Sequence, residues 1–100
     1  AAPDKRRPVV VLTRSELVGL LNTVAVAAIT SAIRDVPSEV QLGTDDGLPK
    51  RCAANLHNVF TVPQKDLGPY LATLDDRKME QVDRALLFAL GVGKRGTAVH

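Results

Sequence analysis

The sequence is poor in cysteine, methionine and aromatic residues. Among its 100 residues, one is cysteine, one is methionine, 3% are aromatic and none is tryptophan. Because Cys52 is the sole thiol, no disulfide can form within the chain and a thiolate metal site would lack ligands. We therefore expect no metal and no other cofactor, and a protein of the cytosol rather than a disulfide-rich secreted scaffold.

Long apolar runs are also missing. The longest one, over residues 24–29, is far too short to span a bilayer, and the first residues show no signal-peptide pattern. We expect no membrane role and a cytoplasmic location.

The remaining composition is that of an ordinary globular domain. Hydrophobic residues make up 45% and charged residues 24% of the chain, which is far from the disordered class. We predict one domain over residues 1–92 and a flexible, glycine-rich tail over residues 93–100. A domain of this size often gains stability from a partner subunit, so a dimer is as plausible as a monomer.

Positive charge is concentrated in three short runs, although the net charge is only +2. They are Lys5-Arg6-Arg7, Lys50-Arg51 and Lys94-Arg95. Such runs permit a phosphate-bearing partner, and they are equally typical of solvated surface. Arg7 is distinctive because it directly precedes an apolar strand.

Most of the chain has the pattern of short strands. We predict strands over residues 8–12, 23–30, 39–42, 52–56, 58–62 and 70–74, with a break near His57. Residues 23–30 are apolar on both faces, which is typical of a central strand.

Two segments have helical patterns. Thr13 and Glu16 form a capping-box pattern that predicts a short helix over residues 13–22, with three leucines facing the core: Leu17, Leu20 and Leu21. A longer helix is predicted over residues 76–90, where Met79, Val82, Leu86 and Leu90 form one apolar stripe. Asp75 is its expected N-cap, and Gly91 fits the position that ends it. The fold class is therefore mainly β, a small and partly open barrel closed by a C-terminal amphipathic helix.

The ends of the first two strands carry complementary chemistry. Arg6 and Arg7 precede the first strand, and Thr30-Ser31 end the second. If these strands are neighbours, a guanidinium and two hydroxyls meet at one sheet edge, which suits a phosphodiester. The spacing alone does not establish that they are neighbours.

Several ordered pieces of the sequence together resemble the MazF/PemK toxins. The pieces are residues 6–12 (RRPVVVL), 28–31 (AITS), 46–49 (DGLP), 55–62 (NLHNVFTV) and 79–91. The resemblance covers residues 6–92 in collinear order. It implies an SH3-like barrel of the PemK type and a homodimer that acts as the toxin of a type II toxin–antitoxin system. The implied activity is a metal-independent, sequence-selective endoribonuclease that cleaves single-stranded mRNA to 2′,3′-cyclic phosphate and 5′-hydroxyl ends. The implied inhibitor is an antitoxin with an acidic extended segment, and operator DNA would be reached only through that antitoxin.

Site residues follow from the same resemblance. The family's catalytic arginine falls on Arg7 and its catalytic threonine on Thr30. The candidate RNA-binding residues are Arg6, Ser31, Arg34, Lys50, Arg51, Asn55, His57 and Asn58.

The chemistry of these residues leaves alternatives open. Arg7 suits charge stabilisation on a phosphorane better than acid catalysis, because a guanidinium keeps its protons in proteins. Thr30 is a weak base unless a neighbour accepts its proton, so it could orient the attacking 2′-hydroxyl or simply satisfy a backbone group. His57 has an imidazole, which can both donate and accept a proton, and could act in catalysis, RNA contact or structure alone. Phe60 could be a core residue or stack on a base.

The sequence departs from the family pattern before Arg7. Relatives usually begin with a strand of the type Gly-acidic-aliphatic-Trp and a loop rich in Gly, Ser and Glu, whereas this sequence starts at Ala1-Ala2-Pro3-Asp4. Loss of that strand would open one side of the barrel. The alternative function is therefore an inactive barrel that dimerises and binds antitoxin. A gyrase-targeting toxin of the CcdB type is less favoured, because those toxins use a C-terminal tryptophan.

Overall fold

The structure, a computed structural model, describes residues 7–94, 96 and 98–100. Candidate residue Arg6 lies outside these residues, as do positions 95 and 97 of the predicted tail. The strands are β1 (Val9–Val11), β2 (Thr23–Thr30), β3 (Glu39–Leu42) and β4 (Cys52–Pro63), and the α-helix is α1 (Asp76–Leu90). Two short 3-10 turns cover Thr44–Asp46 and Gln64–Asp66.

The four strands form one antiparallel sheet in the order β1-β2-β4-β3. The long strands β2 and β4 are central, and the short strands β1 and β3 are the edges. The result is a half-barrel closed by one C-terminal helix, which confirms the predicted mainly-β class. No helix in the described part of the chain is long and apolar enough to cross a membrane.

Alternation along the strands gives the sheet two different faces. One face packs against α1, and we call it the helix-covered face. Its core is built from these buried residues: Val10, Ala27, Ile29, Val40, Leu42, Leu48, Cys52, Ala54, Leu56, Val82 and Ala85. Because neighbouring residues of a strand point to opposite faces, positions such as Thr30, Glu39 and Asn55 belong to the other, helix-free face.

Helix α1 has the predicted ends. The Asp75 carboxylate accepts a hydrogen bond of 2.8 Å from the Lys78 N–H, and Gly91 ends the helix in the left-handed conformation with φ 62°. Val82 and Ala85 are buried against the sheet. These features confirm both predicted caps and the amphipathic helix over residues 76–90.

The predicted break near His57 is wrong as a strand end. Strand β4 runs without interruption, but its register with β2 shifts between Ala27 and Ala28, which pair with Val59 and Asn55 respectively. The residues between them, 56–58, bulge out of the ladder. The polar His57 and Asn58 that suggested a break are thus accommodated inside one strand, as a bulge that bends it.

The short helix predicted over residues 13–22 is absent. Thr13 Oγ1 instead accepts a 2.8 Å hydrogen bond from the Ala25 N–H of the neighbouring strand. Gly19 adopts φ 97° and donates its N–H to Gln64 Oε1 at 2.9 Å, which commits the segment to successive turns. The three leucines predicted for the core are exposed, at 41% for Leu17, 77% for Leu20 and 46% for Leu21. Long-range hydrogen bonds therefore override the local capping pattern.

The strand predicted over residues 70–74 is also absent. Tyr70 and Leu71 are exposed, and Tyr70 bonds locally to Thr73 through their hydroxyls at 2.9 Å. Leu74 packs against the core. This segment crosses the Gly47 turn so closely that a Cβ at Gly47, where φ is 88°, would lie 2.9 Å from Ala72 Cβ. The segment therefore packs closely against another loop and does not pair as a β-strand.

Candidate functional site

The structure brings Arg7 and Thr30 together at one end of the β1–β2 pair. Val9 pairs with Ala28, and the Ile29 N–H donates to the Pro8 carbonyl at 3.3 Å. Continued by two residues beyond Val9, the antiparallel register places Arg7 opposite Thr30, the last residue of β2. This confirms that the two strand ends are neighbours, which spacing alone left open.

The two side chains differ in their surroundings. Arg7 is exposed, and its guanidinium has no hydrogen bond or ion pair with another described residue. Thr30 is half-buried, and its Oγ1 accepts the Ala32 N–H at 3.0 Å. This bond fixes the oxygen and leaves the hydroxyl proton free to donate. Thr30 thus satisfies a backbone group, as the structural alternative expected, and still presents a donor.

A second cation lies across the sheet from Arg7. Thr30 pairs with Ala53, which pairs with Gln41, so these residues form a row across three strands. Arg51 Nη2 donates to Gln41 Oε1 at 3.3 Å. With Arg7 opposite Thr30 on the β1 side, the row spans four strands, and three strand spacings, about 14 Å, separate Arg7 from Gln41. Arg7 at the β1 edge and the Arg51 guanidinium at the β3 edge therefore lie on opposite sides of Thr30.

Lys50 does not join this arrangement. Its charge acts on Cys52, whose side chain belongs to the helix-covered core. Burial raises the pKa of the Cys52 thiol above its ordinary value of 9.0, the charge of Asp46 raises it further, and Lys50 opposes both. The thiol is thus protonated and buried, not a nucleophile.

Asn55 and the bulge lie next along β4. Asn55 is half-buried and pairs with Ala28 on one side and Glu39 on the other. His57, Asn58 and Phe60 are exposed. The bulge therefore presents hydrogen-bonding side chains, and Phe60, at 41% exposure, is only partly withdrawn from solvent.

His57 is held by a serine that sequence reasoning missed. Ser38 is buried, and its Oγ lies 2.5 Å from His57 Nδ1. The Leu56 N–H donates to the Ser38 carbonyl at 2.8 Å, which fixes the two strands at this point. When the serine hydroxyl donates to Nδ1, the neutral ring carries its proton on Nε2. The imidazole then offers a donor on its exposed side.

The loop after β2 carries the remaining candidates, Ser31 and Arg34. Both are exposed, and the Arg34 N–H donates to Glu39 Oε1 at 2.9 Å. Glu39 was not among the predicted site residues. The alternating pattern of its strand predicts that Glu39 points outward. That pattern does not predict the contact of Glu39 with the loop.

Metal-ligand groups are lacking in the described ranges. No three His, Cys, Asp or Glu side chains of residues 7–94, 96 and 98–100 lie close enough to hold a metal ion. The chemistry available at the site is that of guanidinium, hydroxyl, amide and imidazole groups.

Comparison with known proteins gives a consistent result. The family model described as PemK-like, MazF-like toxin of type II toxin–antitoxin system matches residues 1–90. The probable endoribonuclease MazF5 of Mycobacterium tuberculosis is 40% identical over 86 residues, covering 85% of this chain and 79% of the relative.

Solved structures have the same fold. The Mycobacterium tuberculosis toxin MazF-mt6 superposes with a TM-score of 0.81 at 30% identity, over 85% of this chain and 86% of the other. An endoribonuclease from a mycobacterial species, solved in complex with its cognate antitoxin, gives 0.77 at 26% identity, over 86% and 82%. The predicted resemblance is confirmed: the chain belongs to the PemK-like, MazF-like toxin family.

Proposed function

We propose that this chain is the toxin of a type II toxin–antitoxin system and a metal-independent, sequence-selective endoribonuclease of the cytoplasm. Its substrate is single-stranded mRNA, cleaved to 2′,3′-cyclic phosphate and 5′-hydroxyl ends. The observation that carries the proposal is the pairing of Arg7 with Thr30 at one end of β1 and β2. The endoribonucleases among its relatives support the reaction class.

In the proposed reaction, the 2′-oxygen of RNA attacks its own phosphorus while its proton passes to solvent. The bond from phosphorus to the 5′-oxygen of the next nucleotide breaks, and that oxygen takes a proton from solvent. The Arg7 guanidinium, free of protein partners among the described residues, donates to the phosphorane oxygens as charge develops. Thr30 donates its hydroxyl proton to a phosphate oxygen and so aligns the 2′-oxygen with phosphorus. Neither role requires Arg7 to lose a proton.

The RNA strand lies along the helix-free face in this proposal. Arg51 contacts a phosphate on the far side of Thr30's row, and Asn55, His57 and Asn58 contact base edges of unpaired nucleotides. Ser31 and Arg34 contact the strand from the loop after β2. The amide and imidazole groups of β4 then supply the sequence selectivity.

We also infer a homodimer and a cognate antitoxin. The solved complex of a mycobacterial relative supports the antitoxin. An acidic, extended antitoxin segment would neutralise Arg7 and the Lys50-Arg51 run while adding along an edge strand of the sheet. Antitoxin and RNA would then compete for one surface, and operator DNA would be bound only through the antitoxin.

The test is cleavage of a long single-stranded RNA by the purified chain in EDTA, with the cut ends mapped. Arg7→Ala and Thr30→Ala should each reduce cleavage at least about 100-fold, the magnitude typical of losing one transition-state donor. Arg84→Ala is the matched control, because it removes an exposed guanidinium from α1 on the opposite side of the sheet.

Discrete cuts with 5′-hydroxyl ends, lost in both site variants and kept in the control, would support the proposal. Cleavage that survives in both variants would show that the site is wrongly assigned. A folded chain that binds antitoxin and never cuts RNA would favour the inactive barrel.

A further inference from the structure

The carboxylate of the half-buried Glu39 holds the loop that carries Ser31 and Arg34. Glu39 lies on the helix-free face, because its strand neighbour Val40 is in the core beneath α1. Its Oε1 accepts the N–H of Arg34 and the N–H of Asp35, each at 2.9 Å. Two successive backbone donors thus converge on one anionic oxygen, which is a strong, charge-assisted arrangement.

The backbone at this point is strained. Asp35 adopts φ 59°, the one positive φ among the described non-glycine residues. The left-handed conformation costs about 1–2 kcal/mol for a residue with a side chain, and it turns the N–H groups of residues 34 and 35 toward the same oxygen. The two hydrogen bonds to the Glu39 carboxylate offset the free-energy cost of this backbone conformation.

The second carboxylate oxygen is unusual. Glu39 Oε2 is buried and has no hydrogen-bond partner among the described residues. A buried oxygen without a donor destabilises a fold. A polar atom buried without a partner violates a general rule of stable folds, and such violations are typical of functional positions.

We propose that Glu39 is a positioning residue of the RNA site, which sets the conformation of the Arg34–Asp35 turn and through it the place of the Arg34 side chain. This inference rests on the proposed function and adds to it a residue that acts on RNA through another residue. Asn55 faces Glu39 across the ladder and Ala28 on its other side, so the turn is anchored two rows away from Thr30. The backbone of Arg34 is thereby held at Glu39, on the face of the sheet that also carries Thr30.

The test is a double-mutant cycle on RNA cleavage. Glu39→Ala and Arg34→Ala should each reduce cleavage about tenfold, the factor that corresponds to one charge-assisted hydrogen bond. The double variant should cleave no more slowly than Arg34→Ala alone, because Glu39 acts only through that residue. Glu39→Gln, which keeps the acceptor Oε1, should restore cleavage to within about threefold of the natural chain.

A second measurement keeps the inference testable if Glu39→Ala is less stable. Amide hydrogen exchange should accelerate at Arg34 and Asp35, which lose their acceptor, and remain slow at Met79 in α1. Glu80→Ala, an exposed glutamate of α1, is the control for loss of one negative charge and should change neither exchange nor cleavage.

Each outcome has a distinct meaning. The positioning role would be overturned if the losses of cleavage activity were additive in the double variant. It would also be overturned if hydrogen exchange at the Arg34 and Asp35 amides were unchanged in Glu39→Ala. Failure of the natural chain to cut RNA would instead contradict the proposed function. Undiminished cleavage by Glu39→Ala, with the natural chain active, would refute only the role of Glu39.

Discussion

The two faces of the sheet differ in chemistry although the same strands build them. The helix-covered face is closed by α1 and consists of buried aliphatic side chains such as Leu42 and Leu56. The helix-free face carries Thr30, Glu39 and Asn55, each of which accepts a backbone N–H through one side-chain oxygen. It is bordered by Arg7, whose guanidinium has no partner among the described residues. The division is not complete, because Val24, Val26 and Ala53 alternate onto the helix-free face and are also buried. The helix-free face thus combines a buried apolar part with the row of polar residues proposed to bind RNA.

The largest expected contrast between the faces is in stability, at two adjacent residues of β3. Leu42→Ala leaves a cavity under α1 and should lower the free energy of unfolding by about 2–5 kcal/mol. Gln41→Ala removes only an exposed hydrogen bond to Arg51 and should change it by no more than about 0.5 kcal/mol. Urea denaturation of both variants measures the difference. Equal losses would mean that the faces are not energetically distinct.

A smaller effect is expected for RNA affinity at the bulge. The comparison is made in a Thr30→Ala background, so that the RNA is not cleaved during the measurement. His57→Ala should weaken RNA binding about 2- to 10-fold, the range for one or two hydrogen bonds. Fluorescence anisotropy with labelled single-stranded RNA gives the dissociation constants. The control is His100→Ala, which removes the other imidazole of the chain. Identical affinities for the two variants would exclude His57 from the interface.

The smallest effect concerns the thiol on the helix-covered face. Because burial and Asp46 raise the pKa of Cys52 above 9.0, the thiolate should form only at higher pH than in an ordinary cysteine. Alkylation by iodoacetamide should therefore be slow at neutral pH, with a midpoint above 9.0. Lys50→Ala should move the midpoint further upward, since Lys50 favours the thiolate. A midpoint below the ordinary value would contradict the closed core.

The sequence predicted the secondary structure best where a single local pattern determines it. Strands β2 and β3 and helix α1 have the predicted bounds, because apolar periodicity and caps act locally there. The helix over residues 13–22 fails because Thr13 and Gly19 bond to residues far away in sequence. The strand over residues 70–74 fails because its apolar side chains contact a turn instead of a sheet edge.

The site was predictable only in part for a related reason. Arg7 and Thr30 stand next to recognisable strands, so their types and positions could be read from the sequence. Ser38 contacts His57, 19 residues away in the chain, and this contact depends on register and on the bulge in β4, which periodicity does not encode. Glu39 contacts the turn at Asp35 only four residues earlier, but that contact depends on a positive φ at Asp35 that the sequence pattern does not indicate.

The strand order β1-β2-β4-β3 also has a consequence for the timing of synthesis. β2 and β4 are adjacent in the sheet but are separated in sequence by β3 and its flanking turns, so their pairing is non-local and comparatively slow. Arg7 and Thr30 leave the ribosome well before β4, which is made seconds later at roughly 5–20 residues per second. The nascent chain therefore carries Arg7 and Thr30 before it has the central strand that supports Thr30 from its other side. Under the proposed function, the nascent chain is expected to leave the message that encodes it uncut until β4 has emerged and paired.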